Sequence, residues 1–172
     1  SQDGGKTWTG IFTPNQNIEI TDGKLEMNKQ LYKDIAGNEG VNVKSISDIE
    51  IETKPPTVDS FTMDQQSLKK DETAQVTIVF SENVVLDNNN ISVTNNIGTL
   101  SSMTPQDGGK TWRSTFTPTD NIDTTTGKLV LDNTYTDIAG NSGESSEITD
   151  IIIDTKNPTI ESETLISSNS NE

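Results

Sequence analysis

The segment Gln2-Asp3-Gly4-Gly5-Lys6-Thr7-Trp8 returns letter for letter as Gln106-Asp107-Gly108-Gly109-Lys110-Thr111-Trp112. Phe12-Thr13-Pro14, Asn17-Ile18 and Gly23-Lys24-Leu25 likewise return as Phe116-Thr117-Pro118, Asn121-Ile122 and Gly127-Lys128-Leu129. The offset is 104 at Gln2/Gln106, 103 at Asp34/Asp137 and 102 at Thr53/Thr155, so single-residue gaps separate two copies of one unit of about 103 residues. Self-similarity at a fixed spacing marks a chain that folds as an array of stacked modules.

The phase of the repeat sets the expected boundaries. Lys54-Pro55-Pro56 and Lys156-Asn157-Pro158 read as stiff linkers, because proline cannot donate to a sheet ladder. Residues 1–54 are then the second half of one module, 55–156 a complete module, and 157–172 the start of a third. A half-module exposes unpaired strand edges, so 1–54 is expected to be ordered only if further chain or another subunit completes it.

An apolar content of 28% would suit a disordered chain, but its distribution argues against one. Ala74, Val76, Ile78 and Phe80 alternate with Gln75, Thr77 and Val79, placing one set on a single strand face. Trp112 and Phe116 share a face of the next aromatic strand, as do Leu129 with Leu131 and Ile151 with Ile153. Strands are expected near 58–63, 73–80, 84–87, 91–95, 98–103, 110–117, 128–133 and 145–154, divided by Asp, Asn and Gly. No window carries a helix of ordinary length. The fold class is all-β: tandem immunoglobulin-like β-sandwich repeats, with an up-and-down barrel as the alternative.

The set Ser60-Phe61-Thr62-Met63, Thr73 to Glu82, Asp107 to Trp112, Phe116-Thr117-Pro118 and Asp137-Ile138-Ala139-Gly140-Asn141 resembles the bacterial Ig-like repeats of giant surface adhesins and biofilm-associated proteins. The resemblance covers the full module and the half before it. It implies long rods of repeats, exported to the bacterial cell surface or beyond, with calcium between domains.

Composition narrows the chemistry. The chain has no Cys and no His, which removes disulfides, thiolate sites and the usual general base. Its net charge of −15 opposes nucleic-acid binding and favours cations. No apolar run approaches the roughly 18 residues of a membrane span. Catalysis has no conventional activated nucleophile, every acid is expected on a turn or a solvated strand face, and no enzyme activity is expected.

The best candidate site is the Asp-Ile-Ala-Gly-Asn turn. Asp137 and Asn141 offer side-chain oxygens and Ala139 a carbonyl, a set that suits calcium. The same residues also suit a tight turn in which Asp137 caps backbone amides and Gly140-Asn141 takes positive φ. In an Ig-like sandwich this turn, the Ser81-Glu82-Asn83 turn and the incoming linker meet at one pole. Glu52, Glu82 and Asp137 are therefore expected to converge there with Asn141, and a divalent ion would relieve their repulsion. Asp154 takes the place of Glu52 at the next junction, and Asp34 with Asn38 repeat the turn in the half-module. The Asp-Gly-Gly segments read as hairpin turns rather than phosphate cradles. Trp8 and Trp112 read as core residues rather than sugar platforms. Expected partners are neighbouring repeats of the same polypeptide, or other copies joined into a fibre by strand addition. A glycan- or protein-binding module is the rival reading.

Overall fold

The structure, a computed structural model, describes residues 1, 3–27 and 31–161. Most of the residues expected to open a third module therefore lie outside the described residues. The complete module is an immunoglobulin-like β-sandwich. One sheet has the order β3 (Val58–Met63), β5 (Ala74–Phe80), β10 (Thr111–Pro118) and β8 (Gly98–Leu100), with β9 (Thr104–Pro105) also pairing β10. The other has the order β4 (Ser67–Lys69), β13 (Ser146–Asp154), β11 (Asp123–Leu131) and β7 (Ile91–Val93). A small ribbon joins β6 (Val84–Val85) to β12 (Thr136–Asp137).

The period-two residues face each other across this sandwich. Val76, Phe116, Leu129, Ile151 and Ile153 pack with Leu68 and Ile97 in one half of the core. Ile78, Phe80, Trp112, Leu131 and Tyr135 fill the other half with Val84 and Leu86. Three strands escape the sequence pattern, because β4, β9 and β12 are only two or three residues long and carry no readable period. The strand expected from residue 128 begins at Asp123, ahead of a bulge at Gly127. There Asp150 takes a φ of 60°, and a Cβ on Gly127 would lie 2.9 Å from the Ile151 carbonyl oxygen.

The half-module repeats the second part of this design. β1 (Glu19–Glu26) and β2 (Ser45–Glu52) pair antiparallel, with the bulge at Gly23 opposite Ile49 and positive φ at Asp48. Its inner face is open, because the described residues hold no second sheet to cover it. Trp8 is 75% exposed, and Phe12, Leu31 and Ile46 are exposed as well. Core packing is therefore found for Trp112, at 8% exposure, but not for Trp8. The sequence around the two tryptophans is the same, but among the described residues only the strand that carries Trp112 has partner strands.

Threonine clips fasten the end of each last strand. The Thr155 hydroxyl donates to the Thr119 carbonyl at 2.7 Å and accepts from the Ile122 amide at 2.9 Å. Thr53 does the same with the Asn15 carbonyl and the Ile18 amide, at 2.9 and 3.0 Å. Thr155 is buried. Thr155→Val keeps the shape and removes both hydroxyl bonds, so urea unfolding should show a loss of about 1–3 kcal/mol. An unchanged midpoint would refute the role of the clip.

Candidate functional site

The Asp-Ile-Ala-Gly-Asn turn closes on itself. Both carboxylate oxygens of Asp137 accept from Asn141, Oδ1 from the backbone amide at 2.8 Å and Oδ2 from the side-chain amide at 2.7 Å. The Asp137 amide donates to the Asn141 carbonyl at 3.0 Å, and Gly140 supplies the turn's φ of 96°. Glycine is needed there because a left-handed φ strains any residue with a Cβ. Positive φ falls on Gly140 alone and not on Asn141. Asp34 and Asn38 reproduce the closure, with both bonds at 2.8 Å and a φ of 92° at Gly37.

Burial separates the two copies. Asp137 is only 2% exposed, contrary to the expectation that every acid lies on a solvated surface, whereas Asp34 is exposed. The hydrogen bonds from Asn38 hold the Asp34 carboxyl below its ordinary range, with the side-chain amide contributing most. The burial of Asp137 comes from its neighbours. It sits opposite Val84 in the ribbon formed with β6, directly after the Ser81-Glu82-Asn83 turn.

The pole that carries this turn meets the preceding half-module. The Asn141 side-chain amide donates to the backbone carbonyl of Glu52 at 3.3 Å, a bond between modules. Pro56 is fully buried, and Thr57 is tied to Ser81 by two hydrogen bonds of 3.0 and 2.9 Å. A cleft of about 530 Å³ lies between the modules. Glu19, Glu50 and Glu52 line it from the half-module, and Glu82, Asp137, Ile138 and Ala139 line it from the complete module.

The structure thus brings Glu52, Glu82, Asp137 and Ala139 to one cleft, with Asn141 bonded to its wall. Asp154 lies at the opposite pole, where one carboxylate oxygen accepts from the Lys156 amide at 3.3 Å. Glu52 holds the equivalent bond to the Lys54 amide at 2.8 Å. Asp34 and Asn38 lie in the half-module's own turn, against Tyr32, Lys33 and Glu39. Sequence reasoning missed Glu19 and Glu50.

Electrostatics at the cleft oppose charge on Glu82. Burial is the largest influence raising its carboxyl above the ordinary glutamate value, followed by the negative charges of Asp137, Glu52 and Glu19. Lys54 acts in the opposite direction.

The donor set consists of hard oxygens, which fits calcium chemically. Among the described residues, no three acidic side chains are gathered tightly enough to hold an ion as they stand. The carboxylates that line the cleft would have to swing inward to share one. Asp137 is already oriented by Asn141, whereas Glu82 is half-buried and on a turn.

The other candidate motifs resolve as structural. Asp107 accepts from the Thr111 amide and hydroxyl, and Gly108 and Gly109 take φ of 80° and 111°, which makes a closed turn. The Trp112 indole N–H donates to the Gly109 carbonyl at 2.8 Å beneath that turn, so the ring is not a sugar platform.

Fold and site together define one Ig-like sandwich preceded by a strand pair that repeats its second part, with an acidic cleft between the two. A family model described as bacterial Ig-like domain matches residues 1–51 and again 52–153. The chain belongs to that family. Members of the family are commonly found on extracellular or surface proteins, and the fold is typically non-enzymatic. Neither the curated proteins nor the solved structures gave a match. Among the described residues, no helix is long and apolar enough to cross a membrane.

Proposed function

We propose that this chain is a stalk segment of a bacterial cell-surface or secreted adhesin, with modules stiffened by calcium at their joints. The observation that carries this reading is a cleft lined by acids from two neighbouring modules. Glu52, Glu82, Asp137 and Asn141 would hold the ion with the Ala139 carbonyl, and Glu19 and Glu50 would add charge at its rim. Asp34 with Asn38, and Asp154, would serve the joints before and after. A stalk of this kind works mechanically, by projecting a distant tip or by building extracellular matrix.

The sign of the charge effect provides the test. The fold raises the Glu82 carboxyl above its unfolded value, so its ionised form opposes folding. That penalty is fully present at pH above the raised value and is relieved as pH falls through it. In chelator, acidification from neutral pH and Glu82→Gln should therefore both tighten the joint. With millimolar calcium both should loosen it, because they remove a ligand. Small-angle scattering reads the result as maximum dimension and flexibility, and calcium should act at about 10⁻⁴–10⁻³ M, usual for extracellular modules. Identical curves in chelator and calcium would end the proposal.

A further inference from the structure

We infer that Ile138 is an apolar knob that seats the complete module on the half-module, against a pad formed by Ile20 and Ile51. The Asp-Ile-Ala-Gly-Asn turn has no use for an isoleucine of its own. It closes through Asp137 and Asn141, and Gly140 supplies the left-handed φ. Yet the neighbour of the buried Asp137 is an isoleucine that is 75% exposed, and the half-module's turn repeats it as the fully exposed Ile35. A single isoleucine in water needs no explanation, but one that recurs at the tip of the same polar turn and lines a cleft does.

The wall opposite Ile138 offers an apolar surface. Ile20 and Ile51 are direct partners in the β1–β2 ladder, so their side chains stand on one face of the hairpin. Both are half-buried, and they line from the half-module the cleft that Ile138 lines from the complete module. Further along the same turn, the Asn141 side-chain amide already reaches the Glu52 carbonyl, next in the chain to Ile51. Among the described residues Ile35 faces no such surface, because its turn is bordered by Tyr32, Lys33 and Glu39 of its own module.

The linker leaves one angle for a knob to set. Thr53 is clipped to Asn15 and Ile18, the Lys54 amide donates to the Glu52 carboxylate, and Pro56 is fully buried. The hinge is therefore Lys54 and Pro55, and proline fixes its own φ and restricts the residue before it. With so little freedom, a small contact decides between an open and a closed joint. Acids on both walls repel each other and favour the open one. Withdrawal of the three isoleucines from water favours the closed one. This contact needs no cation, so it stands apart from the calcium reading.

Disulfide trapping tests the contact in the full chain, which has no cysteine of its own. In chelator, Ile20→Cys with Ile138→Cys should cross-link several-fold faster than Ile20→Cys with Ile35→Cys, whose second thiol lies beyond the other end of β1. Small-angle scattering of single variants, also in chelator, reads the joint itself. Ile138→Ser should make it more flexible, Ile138→Leu should keep the parent curve, and Ile35→Ser should change nothing. Because Ile138 is exposed, the unfolding midpoint of the complete module should stay where it is in Ile138→Ser. Equal cross-linking rates, or a parent-like curve for Ile138→Ser, would overturn the inference. So would a lowered midpoint, which would make Ile138 a support of its own turn. If the contact passes these tests and calcium changes no curve, the calcium reading falls and the knob remains.

Discussion

Trp112→Ala should destabilise the complete module by about 3–5 kcal/mol, as large core aromatics do when a cavity replaces them. Trp8→Ala should leave the unfolding midpoint of that module where it was. Trp112 lies in the core with Phe80, Leu131 and Tyr135, and its indole N–H is satisfied by the Gly109 carbonyl. Removing the ring empties that space and strips the Asp-Gly-Gly turn of its buried hydrogen bond. Trp8 keeps the equivalent bond to the Gly5 carbonyl at 3.1 Å but is 75% exposed. Its deletion costs little because water already covers it. Guanidinium unfolding, followed by near-ultraviolet circular dichroism, reads both variants. Equal losses for the two would mean that the half-module buries Trp8 in solution.

The contrast between these tryptophans shows what the sequence could and could not reveal. Strand faces such as Ala74-Val76-Ile78-Phe80 were legible because alternation depends on the strand's own geometry. The burial of a face depends on a second sheet, which local sequence does not encode. Identical words therefore gave a core residue at 112 and an exposed one at 8. Buried polar detail was hidden for the same reason. Tyr135, packed at 4.8 Å from Phe80, bonds the Glu144 carbonyl and covers Gly143, where a Cβ would fall 2.1 Å from its ring. The offset of 103 that links Tyr32 to Tyr135 and Gly40 to Gly143 was visible, but only the structure explains why glycine stands there. At the junction, the convergence of Glu52, Glu82 and Asp137 followed from topology, since the turns of a sandwich alternate between its poles. Glu19 and Glu50 lie on strands, where charge usually means solvent, and strand position alone gave them no role.

Asp137→Ala should be the most damaging change at the joint, costing the module about 2–4 kcal/mol as charge-assisted bonds are lost and their donors stranded. The carboxylate organises the turn through the amide and side chain of Asn141, and Asn141 in turn reaches across to the Glu52 carbonyl. Removing it should unfasten the turn and the contact between modules together. The matching change at Asp34, whose carboxylate makes the same bonds in water, should be much milder because solvent replaces what is lost. Asp137→Asn separates the two roles of this side chain. Its amide restores one acceptor and the shape of the turn, so most stability should return, while the charge needed for a cation at the cleft does not. Calorimetry on the three variants with and without calcium tests this directly. If Asp137→Asn recovers stability and still gains as much from calcium as the parent chain, Asp137 supports the turn and has no part in holding the ion.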